Sequence, residues 1–352
     1  VHENGLNFLI NEEENTATVV ASPEAVDAVI IPKEIMHDTK IYPVVSIGEK
    51  AFNNNRGIRT LSFELGTKIR TIQRNSFMNS NIEKITVPPT LAYLAPGCFH
   101  GATKLTDIVI SPKNKYLVYQ DNKYLIRIKG QQRNKNNLVF VRADIEEAVV
   151  PADVIRIEEN AFSNCSSLKS IKFAPNSILR SIERDAFKGC SVQSIDFPAK
   201  LSNLEDGWND GISQITNMTV APESNHLKVI DNTYLVQLGR IPDNDILEIA
   251  RRDLQNATIP GNIVIIDHYA FDCCQSLKTV SFGPSEKTGA PILSKIGYHA
   301  FYNCLNLTRI APFPATLTGI CDSAFDRCNN LEEISFVQSP TPVFENLGER
   351  AF

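Results

Sequence analysis

The chain has 352 residues, 43% hydrophobic and 21% charged, with 17 Gly, 19 Pro and a net charge of −5. That is the composition of a folded chain, and it excludes disordered, collagen-like and disulfide-dense classes. There is no Lys and Arg excess to track phosphates and no run of 18 apolar residues, so neither nucleic-acid binding nor a transmembrane segment is expected.

Residues 6–32 open with the run Phe8-Leu9-Ile10, continue through a polar loop and a second β-rich stretch, and close at Pro32. They predict a β-hairpin capping the N-terminal end of the core. A recurring unit then begins, marked by Ala51-Phe52, with Phe77 and Phe99 in the same position. Residues 123–151 repeat the pattern of the first insertion, from Tyr124-Leu125-Ile126 to Pro151. Ala161-Phe162 and Ala186-Phe187 come next, and Trp208 is read as filling the slot after them. A third insertion, 233–260, runs from Tyr234-Leu235-Val236 to Pro260 and leads into slots at Phe271, Phe301 and Phe325. The second and third hairpins are expected to protrude from the side. Residues 342–352 start another unit and stop at Ala351-Phe352.

The slots recur every 21–30 residues, except for two gaps of 63. Phe52 to Phe162 is 110 residues and Phe162 to Phe271 is 109, so three super-repeats of three units are superimposed on the short period. Residues 154–173 (VIRIEENAFSNCSSLKSIKF) and 317–336 (LTGICDSAFDRCNNLEEISF) are clean copies. Each ends in Leu-x-x-Ile-x-Phe, which alternates with the period of a half-buried strand. One coil per unit, with strands of successive coils pairing in parallel, buries these positions in one core. The expected architecture is a single repeat solenoid over residues 1–352, of about ten units with inserted hairpins. Fourteen of the 18 Phe occupy repeat positions, which makes them core ladders rather than a cofactor box.

The unit resembles the BspA-like leucine-rich-repeat family. The resemblance is carried by NIEKITVPPTLAYLAPGCF (81–99), SVQSIDFPAKLSNLEDGW (191–208) and IYPVVSIGEKAFNNN (41–55), and it covers residues from about 29 to 352. It departs from the family pattern at Trp208 and in the long link 283–292. The resemblance implies a curved parallel-β leucine-rich-repeat coil. It also implies a secreted or surface-exposed protein of a microbe living on host mucosa, with adhesion to host matrix proteins or cells, or co-aggregation between microbes, as its role. The chain starts at Val1 with no secretory h-region, from which a removed targeting segment or a trimmed chain is expected.

Catalytic signatures are missing: there is no H-E-x-x-H, G-x-S-x-G, G-x-G-x-x-G or P-loop, and no enzyme activity or cofactor is expected. None of the six His lies at metal-ligand spacing with Cys; His268 and His299, just before Ala-Phe slots, read as surface turn residues. Cys165, Cys190, Cys274, Cys304 and Cys328 each sit three residues after a slot Phe, the position of a buried column of reduced thiols, with inter-coil disulfides as the alternative. Sequons at Asn164, Asn217, Asn256 and Asn306 matter only in a eukaryotic secretory pathway. Glu12-Glu13-Glu14 and the basic run 129–135 read as solvated hairpin tips.

Residues flanking the Ile of each Leu-x-x-Ile-x-Phe strand point away from the core. They are Thr60 and Ser62, Lys84 and Thr86, Asp107 and Val109, Ser170 and Lys172, Ser194 and Asp196, Asn217 and Thr219, Thr279 and Ser281, Arg309 and Ala311, and Glu333 and Ser335. This face is the candidate binding site for a protein ligand, such as a host matrix or cell-surface protein. It lacks clustered Trp, Tyr and Arg, so weak contacts multiplied by repetition are expected. The side hairpins are the rival surface. Two other functions stay open. One is oligomerisation through an uncapped C-terminal coil, with the chain either continuing beyond Phe352 or pairing there with a partner. The other is glycan binding, which ranks lower because the strand face has no aromatic platform.

Overall fold

Alternation sets the local structure. In Lys84–Val87, Ile85 and Val87 are buried while Thr86 is exposed. Such a strand has one apolar face and unpaired backbone on both edges, and the next coil satisfies both needs by pairing in parallel. A computed structural model describes residues 1–128, 136–239, 244–339 and 343–352, and no helix occurs among them. The basic run 129–135 lies outside the described residues.

The described residues form two compact units, Val1–Glu146 with Asp153–Ser167 and Ser181–Phe187, and Glu147–Ala152 with Leu168–Arg180 and Lys188–Phe352. In the first, strands Asp27–Ile31, Ile58–Phe63, Lys84–Val87 and Asp107–Ile110 stack as a parallel ladder. In the second, one ladder comprises Glu147–Val150, Ser170–Phe173, Ser194–Phe197 and Asn217–Val220, and another Asn256–Ile259, Thr279–Phe282 and Arg309–Ile310. Short strands on the other side of each coil pair in parallel too, as Lys295–Ile296 does with Gly319–Ile320.

The chain is a parallel β-solenoid of about 14 turns, more than the ten counted from Phe slots. The insertions account for the difference, because they are themselves coils. Tyr124–Arg127 and Asn136–Val141 are antiparallel, but Asn136–Val141 then pairs in parallel with Val154–Ile157 and is buried along its whole length. Tyr234–Gln237, Asp245–Ala250 and Ile263–Ile266 repeat this arrangement. The paired arms of the second and third insertions are therefore built into the ladder instead of protruding. Behind each, an Arg-x-Asp clamp tightens the turn. Arg142 donates to Asp144 at 2.8 and 2.6 Å, Arg251 to Asp253 at 3.0 and 2.6 Å, and these bonds hold both carboxyls below the usual carboxylate range.

Each Ala-Phe turn places left-handed residues two before and two after its slot. Asn75 and Asn79 flank Phe77 with φ 56° and 55°, and Gly97 and Gly101 flank Phe99 with 70° and 69°. The equivalent pair at Gly207 and Gly211, with 79° and 74°, centres the slot on Asn209. The reading of Trp208 as the slot residue is thus one position out. Trp208 replaces the Ala of the dipeptide. Both side chains are fully buried, with Trp208 Nε1 donating to Glu248 Oε2 at 3.0 Å and Asn209 Nδ2 to the Glu248 carbonyl at 2.9 Å.

The other slots stack their rings. Phe52 lies 5.0 Å from Phe77, Phe271 4.7 Å from Phe301 and Phe301 4.8 Å from Phe325. The thiols form the second regular column. Cys304 Sγ donates to the Phe271 carbonyl at 3.2 Å and Cys328 Sγ to the Phe301 carbonyl at 3.1 Å, each reaching back to the slot of the preceding coil. Among the described residues no disulfide joins any of the cysteines. Burial pushes the Cys274 thiol up to about 11, so it remains a protonated core group.

Candidate binding face

The sequence-predicted face residues fall on three separate ladders. Thr60, Ser62, Lys84, Thr86, Asp107 and Val109 lie on the first. Ser170, Lys172, Ser194, Asp196, Asn217 and Thr219 lie on the second. Thr279, Ser281 and Arg309 lie on the third, which an isolated bridge extends from Arg309 to Glu333. Ala311 and Ser335 sit at its irregular end, where the Ser335 carbonyl accepts the Phe313 N–H at 2.8 Å. All these side chains are exposed or half-buried.

Parallel register aligns them in columns that bond from rung to rung. Lys84 Nζ lies 2.7 Å from Asp107 Oδ2. Asn217 Nδ2 donates to Ser194 Oγ at 3.2 Å, and Thr219 Oγ1 to Asp196 Oδ1 at 2.7 Å. On the third ladder Thr279 Oγ1 donates to Asn256 Oδ1 at 2.7 Å, and Thr258 and Ser281 share a bond of 3.0 Å. These bonds hold short polar side chains in place, so a partner meets a surface that loses little further entropy on contact.

The sequence reading missed the first strand of each ladder. Ala28 and Ile30 stand beside Thr60 and Ser62, Glu147 and Val149 beside Ser170 and Lys172, and Asn256 and Thr258 beside Thr279 and Ser281. Ile30 and Val149 are exposed. The signal was present: Val29-Ile30-Ile31-Pro32, Ala148-Val149-Val150-Pro151 and Ala257-Thr258-Ile259-Pro260 share the strand-then-Pro form of Ile195-Asp196-Phe197-Pro198. These segments have no Ala-Phe before them, and counting by Phe passed over them.

The second ladder adds a cleft of about 860 Å³ where its strands run into turns at Pro175, Pro198 and Pro222. Lys172, Asp196 and Thr219 line it from the strands, Lys200 and Glu223 from the turns. Its walls carry both charge signs and apolar turn surface, which suits a peptide or protein contact.

Among the described residues, the group of metal-ligating side chains that comes together does not fit a metal. Asp206, Asp267 and His268 bring one ligand atom each within 4.8 Å of one another. However, His268 Nδ1 accepts the Tyr298 backbone N–H at 3.0 Å, so in the neutral ring Nε2 carries the proton and has no lone pair to give. Burial raises the Asp267 carboxyl, and the His268 backbone bond with the His268 and Lys295 charges pulls it partly back.

The family described as the BspA type leucine rich repeat region, in six copies, matches residues 37–121, 135–241 and 250–352. The chain belongs to the BspA-type leucine-rich-repeat family. Solved structures with this fold include a leucine-rich cell surface protein from Faecalibacterium prausnitzii, 21% identical over 97% of this chain and 95% of that one, TM-score 0.53. The pneumococcal vaccine antigen PcpA is 19% identical over 99% of this chain and 77% of its own, TM-score 0.54. A leucine-rich repeat protein from Eubacterium ventriosum is 13% identical over 99% of this chain and 92% of its own, TM-score 0.50. No curated protein matches. As a BspA-type chain it has the repeat surface expected of protein–protein contact, and no helix among the described residues is long and apolar enough to cross a membrane.

Proposed function

We propose that this BspA-type chain is a non-enzymatic secreted or cell-surface protein that binds a host matrix or cell-surface protein through its Leu-x-x-Ile-x-Phe strands. The observation that carries this reading is the second ladder. There, two outward columns bonded between rungs end in a cleft lined by Lys172, Asp196, Thr219, Lys200 and Glu223. The mechanism is rigid display without bond chemistry, and repeated weak contacts supply avidity when many copies act together.

The test is binding of the chain to immobilised matrix proteins and epithelial cells, beside the Lys172→Glu/Lys200→Glu variant. Both lysines are exposed, so the unfolding midpoint is expected to stay the same while affinity falls about tenfold or more. Unchanged binding would move the contact off the second ladder, and turnover on any substrate would end the non-enzymatic reading. A second reading, self-association, is favoured by the exposed apolar pair Phe336 and Val337. Sedimentation velocity over a hundredfold concentration range decides it: self-association supports assembly, and a constant monomer rejects it.

A further inference from the structure

The Ala-Phe turns are polar along most of the chain. The left-handed position before the slot holds Lys50, Asn75, Gly97, Asn160, Asp185 and Gly207 in successive coils. In the next two coils it holds Tyr269 at φ 58° and His299 at φ 53°. A bulky ring in the left-handed region is uncommon, and residues held there cluster at ligand sites. The neighbouring turn positions change in the same coils, to His268, Tyr298 and Tyr302, where earlier turns carry residues such as Glu49, Arg74, Asn53 and Ser163.

One turn stacks three rings, and the preceding coil adds Tyr269 and His268 to the patch. Tyr298 and His299 stack at 3.9 Å, and His299 and Tyr302 at 4.3 Å. Tyr269 stands nearly perpendicular to Tyr298 and His299, at 5.6 and 5.4 Å. The Arg327 guanidinium lies over Tyr302 at 5.3 Å. None of the five aromatic side chains is buried, and Tyr298 is 37% exposed.

Beside Tyr298 is a donor and acceptor pair held apart. His268, whose ring lies 6.4 Å from that of Tyr298, carries its proton on Nε2, as its Nδ1 bond requires. Nε2 is 3.8 Å from Asp206 Oδ2, too long for a hydrogen bond. A hydroxyl placed between them would accept from Nε2–H and donate to the carboxylate, completing both. An apolar ring surface next to a pair that wants one hydroxyl matches a pyranose, which has a C–H face and equatorial hydroxyls. The surrounding charge selects further. Asp206, Asp210, Asp267 and Asp326 surround the patch, and its cations are engaged there: Lys188 pairs with Asp210, Arg350 with Asp326, and Lys295 acts on Asp267, so they are not offered to a sulfated or sialylated sugar. The cation-attracting face of Tyr302 is already occupied by Arg327.

We propose that Tyr298, His268 and Asp206 form a binding site for neutral hexopyranose glycans, on the Ala-Phe turns and independent of the strand face. The sequence reading ranked sugar binding low because the strands lack an aromatic platform. The platform is on the turns instead, where Tyr298 comes beside His268 from 30 positions earlier.

Saturation-transfer NMR and calorimetry on the full chain test this with glucosides, galactosides, mannosides, N-acetylhexosamines and their oligomers, alongside choline and heparin as charged probes. Saturable binding of a neutral hexoside is expected, weakened about tenfold or more by Tyr298→Ala and by Asp206→Asn. Tyr298→Phe, which keeps the ring, retains most of the affinity, and Lys172→Glu/Lys200→Glu leaves it unchanged. Circular dichroism and the unfolding midpoint verify that each variant is folded. The proposal is overturned if no neutral sugar binds, if binding survives Tyr298→Ala in a folded chain, or if choline or heparin is preferred.

Discussion

Replacing Arg127 by Met is expected to destabilise the protein by about 3–5 kcal/mol near neutral pH, because it strands a buried carboxylate. The Arg127 and Glu158 side chains are 11% and 2% exposed and form an ion pair. Arg127 also donates to the Leu94 carbonyl at 2.7 Å and lies over the Tyr93 ring at 4.8 Å, while Asn137 Nδ2 donates to Glu158 Oε1 at 2.6 Å. Among the described residues Glu158 Oε2 has no hydrogen-bond partner, so once Arg127 is gone the Asn137 bond and the Arg156 charge are what compensate the carboxylate.

The loss should depend on pH in a definite direction. Burial raises the Glu158 carboxyl above the ordinary carboxylate range, and the Arg127 charge pulls it partly back. The folded chain therefore keeps this proton to higher pH than the unfolded chain. The associated stability is complete below the unfolded value and is lost as pH rises through the folded one. Without Arg127 the folded value climbs further, the loss at neutral pH deepens, and acidification toward the ordinary carboxylate range restores part of it. Urea unfolding at several pH values measures this. The double variant Arg127→Met/Glu158→Gln should recover most of the stability at neutral pH, and a double variant as unstable as the single one would show that the pairing is not the cause.

Phe301→Ala should also cost about 3–5 kcal/mol, and should do so by separating coils. Phe301 is 1% exposed and stacks on Phe271 in the preceding coil and on Phe325 in the following one. Its removal leaves a cavity in the column and deletes two ring contacts together. In a solenoid, stability is approximately a sum of terms between neighbours, so a gap at one coil weakens cooperation across it. Trp208, the single Trp and fully buried, supplies a fluorescence probe remote in sequence from the gap. In the wild type, circular dichroism and Trp208 fluorescence should report one transition; in Phe301→Ala they should separate. Phe352→Ala makes a useful contrast, because Phe352 is 45% exposed and stacks on Phe325 alone among the described residues. Its loss should be much smaller, and equal losses would refute the two-sided stacking argument.

The parts legible in the sequence were those recorded locally and repeated. Alternation in segments such as Ser194-Ile195-Asp196-Phe197 specifies a strand and its buried face without reference to anything distant. The Phe slots and the 110-residue period specify coils, and the strand-and-slot pattern carried the family resemblance. The positions of outward residues on eight strands, and at the isolated bridge of Glu333, were read from that same alternation. The register of the turn around Trp208 was missed because aromatic identity outweighed backbone geometry, although Gly207 and Gly211 marked it.

Other features exist only between coils. Coils 20–30 residues apart in sequence lie about 4.8 Å apart once their strands pair, and that proximity has no local signature. It turned insertions read as hairpins into ladder strands, because Asn136–Val141 and Asp245–Ala250 find parallel partners. It placed Arg127 against Glu158, and it separated the predicted face into three ladders. It also set Tyr269 against the Tyr298 and His299 rings of the next coil, completing an aromatic patch. The repeat and its strands were thus determined by local periodicity, whereas the buried ion pair, the cleft and the aromatic patch were decided by which turns became neighbours when the coils stacked.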